Sequence, residues 1–344
     1  MNLTLEDIGR MAGVSRSTVS RVLNDQTSVS PEVRTRVQEV IRRTGYTPNV
    51  AARSLVSGRS GVIGLVIPSR VRNVFEDPYF ARLIQGISAA SNQSGKTLSL
   101  FLFQTEAEEG ALYPRVITSG YLDGLIVTAT RMSDPLMARM ASREVPVVMI
   151  GRPDVEGVSY VNVDNRGGAM QAAIHLCNLG YQRIGLLGAP VSTTAGLDRL
   201  NGFVEGLAIC GLALHPSLRA DGDFSEASGY QAMLELIPHN PEAVFAASDT
   251  MAVGALRALR ESGTKVPQDV ALVGFDGLPA SENSVPALTT IRQPVTETGR
   301  RAVHLLNDLV RGAVTAPVVE ILPVELVVRE SCGAARAVAG VEIQ

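Results

Sequence analysis

The chain has 344 residues, with 31 Lys+Arg against 34 Asp+Glu, a formal net charge of −3, three Cys and no Trp. With 45% hydrophobic and 19% charged residues it is neither disordered nor fibrous, and its length suits two or three domains better than one compact core. The apolar runs, such as 61–68 and 243–247, fall far short of the roughly 20 residues a membrane span needs, and residues 1–20 hold no apolar signal core; the expected compartment is the cytoplasm.

The charge is uneven. Residues 1–60 carry nine Arg and five acidic residues, a net of +4, which leaves −7 on residues 61–344. A basic head on an acidic body points to a nucleic-acid partner for the head alone. Cys177, Cys210 and Cys332 are more than 30 residues apart, and none of the four His has a partner at ligand spacing, so neither a disulfide framework nor a metal site is expected.

In chain order, Leu5, Ile8, Met11 and Ala12 recur at helical spacing behind Thr4, which can form a capping box with Asp7. Gly13 permits a tight turn, Val14 can plug the angle between two helices, and Ser15 caps a second helix over 16–23. Val19, Val22 and Leu23 form its apolar face; Arg16, Ser17, Ser20 and Arg21 are presented outward. Ser30 and Pro31 open a third helix with Val33, Val37, Val40 and Ile41 inward. Two helices joined by a Gly-containing turn, the second cationic at its start, fit a helix-turn-helix that enters the major groove; a helical hairpin with a solvated basic face has the same spacing. Asn49 can cap a short helical segment from Val50 to Ser57, too short to be stable alone, in which Leu55 is available as an apolar wedge for a base step; a plain linker is the alternative.

From Gly61 onward apolar strands alternate with amphipathic helices. Strands are predicted over 62–67, 97–103, 124–129, 145–150, 183–188, 243–247 and 270–274, and helices over 81–94, 167–179, 197–210, 225–237 and 251–262. Short, fully apolar strands alternating with helices imply doubly wound parallel sheets, two similar α/β units on this count, with ligands beyond the carboxyl ends of the strands. No dinucleotide fingerprint, phosphate loop or nucleophile elbow is present, so no cofactor, no catalytic residue and no enzyme activity is expected. Asp164, Asp249 and Asp276, at or just beyond strand ends, suit hydroxyl recognition better than acid–base work. Asp164 also reads as a hinge cap and Asp249 as a helix cap.

The motifs TLEDIGRMAGVSRSTVSRVLN at 4–24, SPEVRTRVQEVIRRTGYTPN at 30–49 and VAARSLVSG at 50–58 resemble the LacI/GalR family of transcriptional regulators along the whole chain. The resemblance implies a helix-turn-helix domain over 1–48, a hinge helix and linker over 49–60, and a periplasmic-binding-protein-like core over 61–332 followed by a tail. The first lobe of that core takes about 61–160 and 292–320, the second about 161–291 and 321–332, with an effector in the cleft between them. It implies that Arg16 and Ser17 choose the operator, with DNA contacts from Thr4, Ser15, Thr18, Ser20, Arg21, Asn24 and Asn49, and that Leu55, beside Ala52, levers open a base step. In the cleft it assigns Tyr79, Phe80, Arg199, Phe224 and Asp276 to the effector, with Asp164, Ser248 and Asp249 as further candidates. Phe80 reads equally as core, and a helix arginine such as Arg199 as a surface charge.

The tail lacks leucine heptads, which leaves a homodimer on a palindromic operator as the expected assembly. The expected function is that of a repressor whose DNA affinity is set by a sugar or sugar derivative through rotation of the lobes. A purine or nucleoside effector is the alternative within the fold, and a stand-alone solute-binding protein is the alternative outside it.

Overall fold

The computed structural model describes residues 3–23, 26, 28–46, 59–103, 105, 107–108, 110–111, 121–128, 131–133 and 145–334. The chain divides into two compact units, 1–61 and 62–344.

The first unit contains α1 (Leu5–Ala12), α2 (Arg16–Leu23) and α3 (Pro31–Thr44). The capping box forms: the Thr4 hydroxyl accepts from the Asp7 N–H, and the Asp7 carboxylate accepts from the Thr4 N–H. Gly13, at φ 64°, ends α1 in the left-handed region. Gly9 matters as much, because a Cβ there would stand 2.7 Å from the Val14 carbonyl oxygen, so only glycine lets the turn fold back on α1. Ile8, Ala12, Val19, Val22, Val37 and Val40 form a buried core, with Leu5, Val14, Leu23 and Ile41 around it.

The second unit holds two six-stranded sheets. β1 (Val62–Arg70), β2 (Thr97–Phe103), β3 (Gly124–Thr128), β4 (Val147–Ile150), β5 (Ser159–Val163) and β11 (Val319–Leu322) form the first sheet, in the order β11-β5-β4-β3-β1-β2, all parallel. β6 (Ile184–Gly188), β7 (Arg219–Asp221), β8 (Ala243–Ala246), β9 (Ala271–Asp276), β10 (Thr289–Arg292) and β12 (Glu325–Val327) form the second, in the order β12-β10-β9-β8-β6-β7. Its β10–β12 pair is antiparallel. The sequence expectation of parallel strands thus holds, but it passed over β5, β7, β10, β11 and β12. These are short, and several carry polar or exposed residues such as Asn162, Asp221 and Glu320, so neither apolar runs nor alternation mark them.

Helices α4 (Val71–Glu76), α5 (Pro78–Gln93) and α11 (Val295–Arg311) belong to the first lobe, and Leu83, Ile87, Ala302, Val303 and Leu306 pack on Ile63, Leu65 and Ile126 of its sheet. In the second lobe α6 (Asn165–Asn178) and α7 (Thr194–Ile209) cover one face, where Ala169, Ala172, Ala173, Phe203 and Leu207 meet Phe245, Val273 and Phe275. The other face is covered by α8 (Glu226–Leu236) and α9 (Asp249–Glu261), through Met233, Met251, Ala255 and Leu259. A short helix, α10 (Pro279–Asn283), follows β9. Strands sandwiched in this way face apolar surface on both sides, which is why β3, β6, β8 and β9 are buried at every position. The chain passes between the two sheets after β5, after β10 and after β11.

Candidate functional site

The carboxyl ends of β8 and β9 carry the most unusual chemistry in the structure. Arg199 projects from α7 and is only 5% exposed, so it is no surface charge. Its Nε donates to Asn165 Oδ1 at 2.9 Å, and its Nη1 donates to the Ala247 carbonyl at 2.6 Å and to Asp276 Oδ1 at 3.2 Å. The guanidinium carbon lies 3.7 Å from the centre of the Phe275 ring. Asp276, the last residue of β9, also accepts from Gln293 Nε2 at 2.5 Å. Its φ of 122° lies where a non-glycine residue is strained, and the bonds from Arg199 and Gln293 hold its carboxylate against that strain.

Ser248 is the N-cap of α9, accepting from the Met251 N–H, so the cap that the sequence reading gave to Asp249 belongs to Ser248. Asp249 is fully buried, accepting from Thr290 Oγ1 at 2.6 Å and from the Leu278 N–H at 2.8 Å. Burial, and next the nearby Asp276 charge, push its carboxyl well above the ordinary carboxylate range. Burial also raises Asp276, against the opposing pull of Arg199.

The first lobe closes on this cluster through the start of α5. Asp77 caps that helix, accepting from the Tyr79 N–H at 3.0 Å, and stands 3.5 Å from Thr250 Oγ1 of the second lobe. Burial, then the Asp276 charge, push the Asp77 carboxyl up to about 6. Burial, then the charge of the same Asp276, raise the Tyr79 hydroxyl above its ordinary range. Phe80 is core: it is buried in the first lobe and makes an edge contact with Tyr79, centroids 5.4 Å apart. Further bonds join the lobes: Arg152 donates to Asp198 through Nε at 3.1 Å and Nη2 at 2.7 Å, the Thr194 hydroxyl donates to the Arg152 carbonyl at 2.7 Å, and the Met132 N–H donates to the Ser192 carbonyl at 2.7 Å.

Asp164 caps α6 by accepting from the Gly167 N–H at 2.8 Å, while its neighbour Asn165 joins Arg199. Phe224 is half-buried at φ 71° and makes no ring contact with another aromatic or a guanidinium among the described residues. The structure therefore brings Tyr79, Arg199, Ser248, Asp249 and Asp276 together and adds Asp77, Asn165, Thr250 and Gln293. Gln293 also lines a cavity of about 600 Å³ with Arg82, Arg292, Arg300 and Glu325. No sequence signal marked Gln293, because β10 before it was not legible as a strand, and nothing in the spacing marked Asp77 beyond its place in DPYF.

In the head, the Ser15 hydroxyl caps α2 through the Thr18 N–H at 3.2 Å and lies 2.8 Å from Ser17 Oγ and 2.9 Å from Thr18 Oγ1. This network ties the first turn of α2, while Arg16 and Arg21 are exposed and Ser20 is half-buried. Arg16 makes only a loose 3.7 Å approach to Glu6. Thr4 spends its hydroxyl on Asp7. Asn24, Asn49, Ala52 and Leu55 lie outside the described residues. Among the described residues no helix is long and apolar enough to cross a membrane, and no group of three or more His, Cys, Asp or Glu could hold a metal ion.

Comparison with known proteins agrees with both units. Residues 4–49 match the bacterial regulatory proteins of the lacI family, and 173–332 match the periplasmic binding protein-like domain. The chain is 39% identical over 333 residues to the HTH-type transcriptional regulator CelR of Thermobifida fusca, covering 95% of this chain and 98% of that protein. To the HTH-type transcriptional repressor PurR of Escherichia coli it is 35% identical over 312 residues, 89% of each. Among solved structures, a complex of the transcriptional regulator CelR with cellobiose has a TM-score of 0.76 at 37% identity, covering 96% of this chain and 99% of that one. The lac repressor dimer bound to operator and the anti-inducer ONPF has a TM-score of 0.83 at 28% identity, with the same coverage. A helix-turn-helix head, two parallel-sheet lobes and identity along nearly the full length place the chain in the LacI family: it is a DNA-binding transcriptional regulator, and the family is not enzymatic.

Proposed function

We propose that this regulator binds a palindromic operator as a homodimer, acting as a repressor, and that a small neutral sugar held between its lobes sets its affinity for DNA. The observation that carries the reading is the buried cluster around Arg199 and Asp276, met from the other lobe by Asp77 and Tyr79. The Arg199 guanidinium is already paired with Asp276, which leaves no net positive charge for an anionic ligand and suits hydroxyl groups, which donate to carboxylates and accept from the guanidinium. Arg199 Nη2 makes no hydrogen bond among the described residues, which leaves it to donate to such a hydroxyl. Similarity to a regulator crystallised with cellobiose supports a sugar, and among sugars a β-linked disaccharide is the first to try.

In this reading residues 1–48 read the operator, with Arg16 and Ser17 on bases and Thr4, Ser15, Thr18, Ser20, Arg21 and Asn24 holding the head on the duplex. Residues 49–60 form the hinge, with Asn49, Ala52 and Leu55 at the minor groove, and the two lobes of 61–332 hold the effector through Tyr79, Arg199, Phe224, Ser248, Asp249 and Asp276, with Phe80 backing Tyr79 from the core and Asp164 holding the start of α6. Ligand that favours one lobe arrangement over another shifts DNA affinity by its differential binding to the two.

A thermal-shift series tests the effector. Cellobiose and related neutral sugars should raise the melting temperature of the full chain in proportion to the logarithm of concentration, and Asp276→Asn should remove the response. A response to purine bases and none to sugars overturns the sugar assignment and favours stacking on Phe224. For the head, exchanging Arg16 and Ser17 should change which operator is preferred; a loss of equal size on every sequence would make them phosphate contacts.

A further inference from the structure

α6 and α7 run side by side in the same direction, in a register set by small residues. A Cβ on Gly202 would stand 2.0 Å from the Arg166 carbonyl oxygen, and one on Gly206 would stand 2.7 Å from both Ala173 Cβ and the Met170 carbonyl oxygen. Four residues farther along each helix, the Ala173–Gly206 step becomes Cys177, in the last turn of α6, opposite Cys210, the C-cap of α7. The two cysteines thus follow one turn beyond the closest approach of the two helices, and a disulfide between them needs Cβ atoms roughly 3.5–4.5 Å apart. The Cys210 sulfur is near enough to act electrostatically on the Cys177 thiol. Both are free and partly exposed, whereas Cys332 is buried and its Sγ lies 3.6 Å from the Arg329 carbonyl oxygen.

We propose that Cys177 and Cys210 form an oxidisable dithiol, converted by a hydroperoxide into a disulfide that staples the C-terminal ends of α6 and α7. The Cys210 thiol attacks the peroxide, whose O–O bond breaks; Cys210 becomes a sulfenic acid and the peroxide leaves as alcohol or water. The Cys177 sulfur then attacks the Cys210 sulfur, the S–O bond breaks, and water departs with the Cys177 proton. Two thiols lose two electrons and one peroxide bond gains them. Burial, and then the nearby Cys210, push the Cys177 thiol up to about 12, so a closure in which Cys177 is the attacking sulfur is faster in alkaline than in neutral solution. The opposite ends of the same two helices carry Asn165 and Arg199, so the staple holds together a helix pair that positions the cleft cluster.

The test uses the full-length reduced protein, treated with hydrogen peroxide and mapped by non-reducing peptide mass spectrometry. A peptide joining Cys177 to Cys210, two hydrogens lighter than its reduced parts, is expected, with Cys332 the one thiol left to alkylate after denaturation. The melting temperature should rise by roughly 5–10 °C, return on reduction with dithiothreitol, and not rise in Cys177→Ser or Cys210→Ser. A cross-link through Cys332, bridges between chains in place of the internal one, sulfinic acid at Cys210 without a cross-link, or three alkylatable thiols after alkaline peroxide treatment would each overturn the proposal. None of these readouts depends on operator or effector binding.

Discussion

Arg199 shows how much one side chain in the cleft carries. Its guanidinium is buried against Asp276, Asn165, the Ala247 carbonyl and the Phe275 ring, so truncating it leaves a buried carboxylate without its cation. Arg199→Met should therefore destabilise the second unit by about 3–5 kcal/mol, read from denaturant unfolding of the full chain. Asp77 gives a pH dependence. Its carboxyl is raised from 3.8 to about 6, so between those values the folded state keeps a proton that the unfolded chain has released. Stability is greatest below the lower value and is lost as pH rises through the upper one. Asp77→Asn should flatten that decline in melting temperature; an undiminished decline would assign it to Asp249 and Asp276, whose carboxyls burial raises as well. The sequence placed Arg199 and Asp276 in the cleft through the motifs around them, but not their contact, because residues 77 positions apart meet only once α7 and β9 share a lobe.

At the scale of elements, caps and close approaches decide where helices begin and how near they come. The Thr4–Asp7 box and the Ser15 and Ser30 caps were legible because capping depends on residues three apart. The glycines that let helices touch were not, since nothing local distinguishes Gly9, Gly202 or Gly206 from a turn glycine. Gly9→Ala would drive a methyl group against the Val14 carbonyl oxygen and should cost the head about 1–3 kcal/mol. The expected readout is weakened operator binding with effector affinity in the second unit unchanged. The same blindness concealed Cys177 and Cys210, far apart in sequence and adjacent only through the packing of α6 on α7.

Across the whole second unit, three passages between the sheets and a few polar contacts govern how the lobes meet. Arg152 with Asp198, Thr194 with the Arg152 carbonyl, and Thr250 with Asp77 span the lobes, and all three are partly solvated. Such pairs contribute little each, which suits the lobe shift proposed for ligand binding. Arg152→Ala should remove about 0.5–1 kcal/mol from the closed arrangement, lowering effector affinity some two- to fivefold by calorimetry while the melting temperature without effector barely moves.

The sequence by itself determined the class of the protein: a basic helical head, an acidic α/β body of alternating apolar strands and helices, and motifs specific enough to identify the family. Those features are local or periodic, and a chain displays them before it folds. Tertiary structure alone decided which polar groups share the cleft, that Ser248 rather than Asp249 caps α9, that Asn165 rather than Asp164 holds Arg199, and that two distant cysteines lie one turn past the α6–α7 contact. These depend on contacts between residues far apart in sequence, and their energies come from burial and mutual orientation, which no spacing rule encodes.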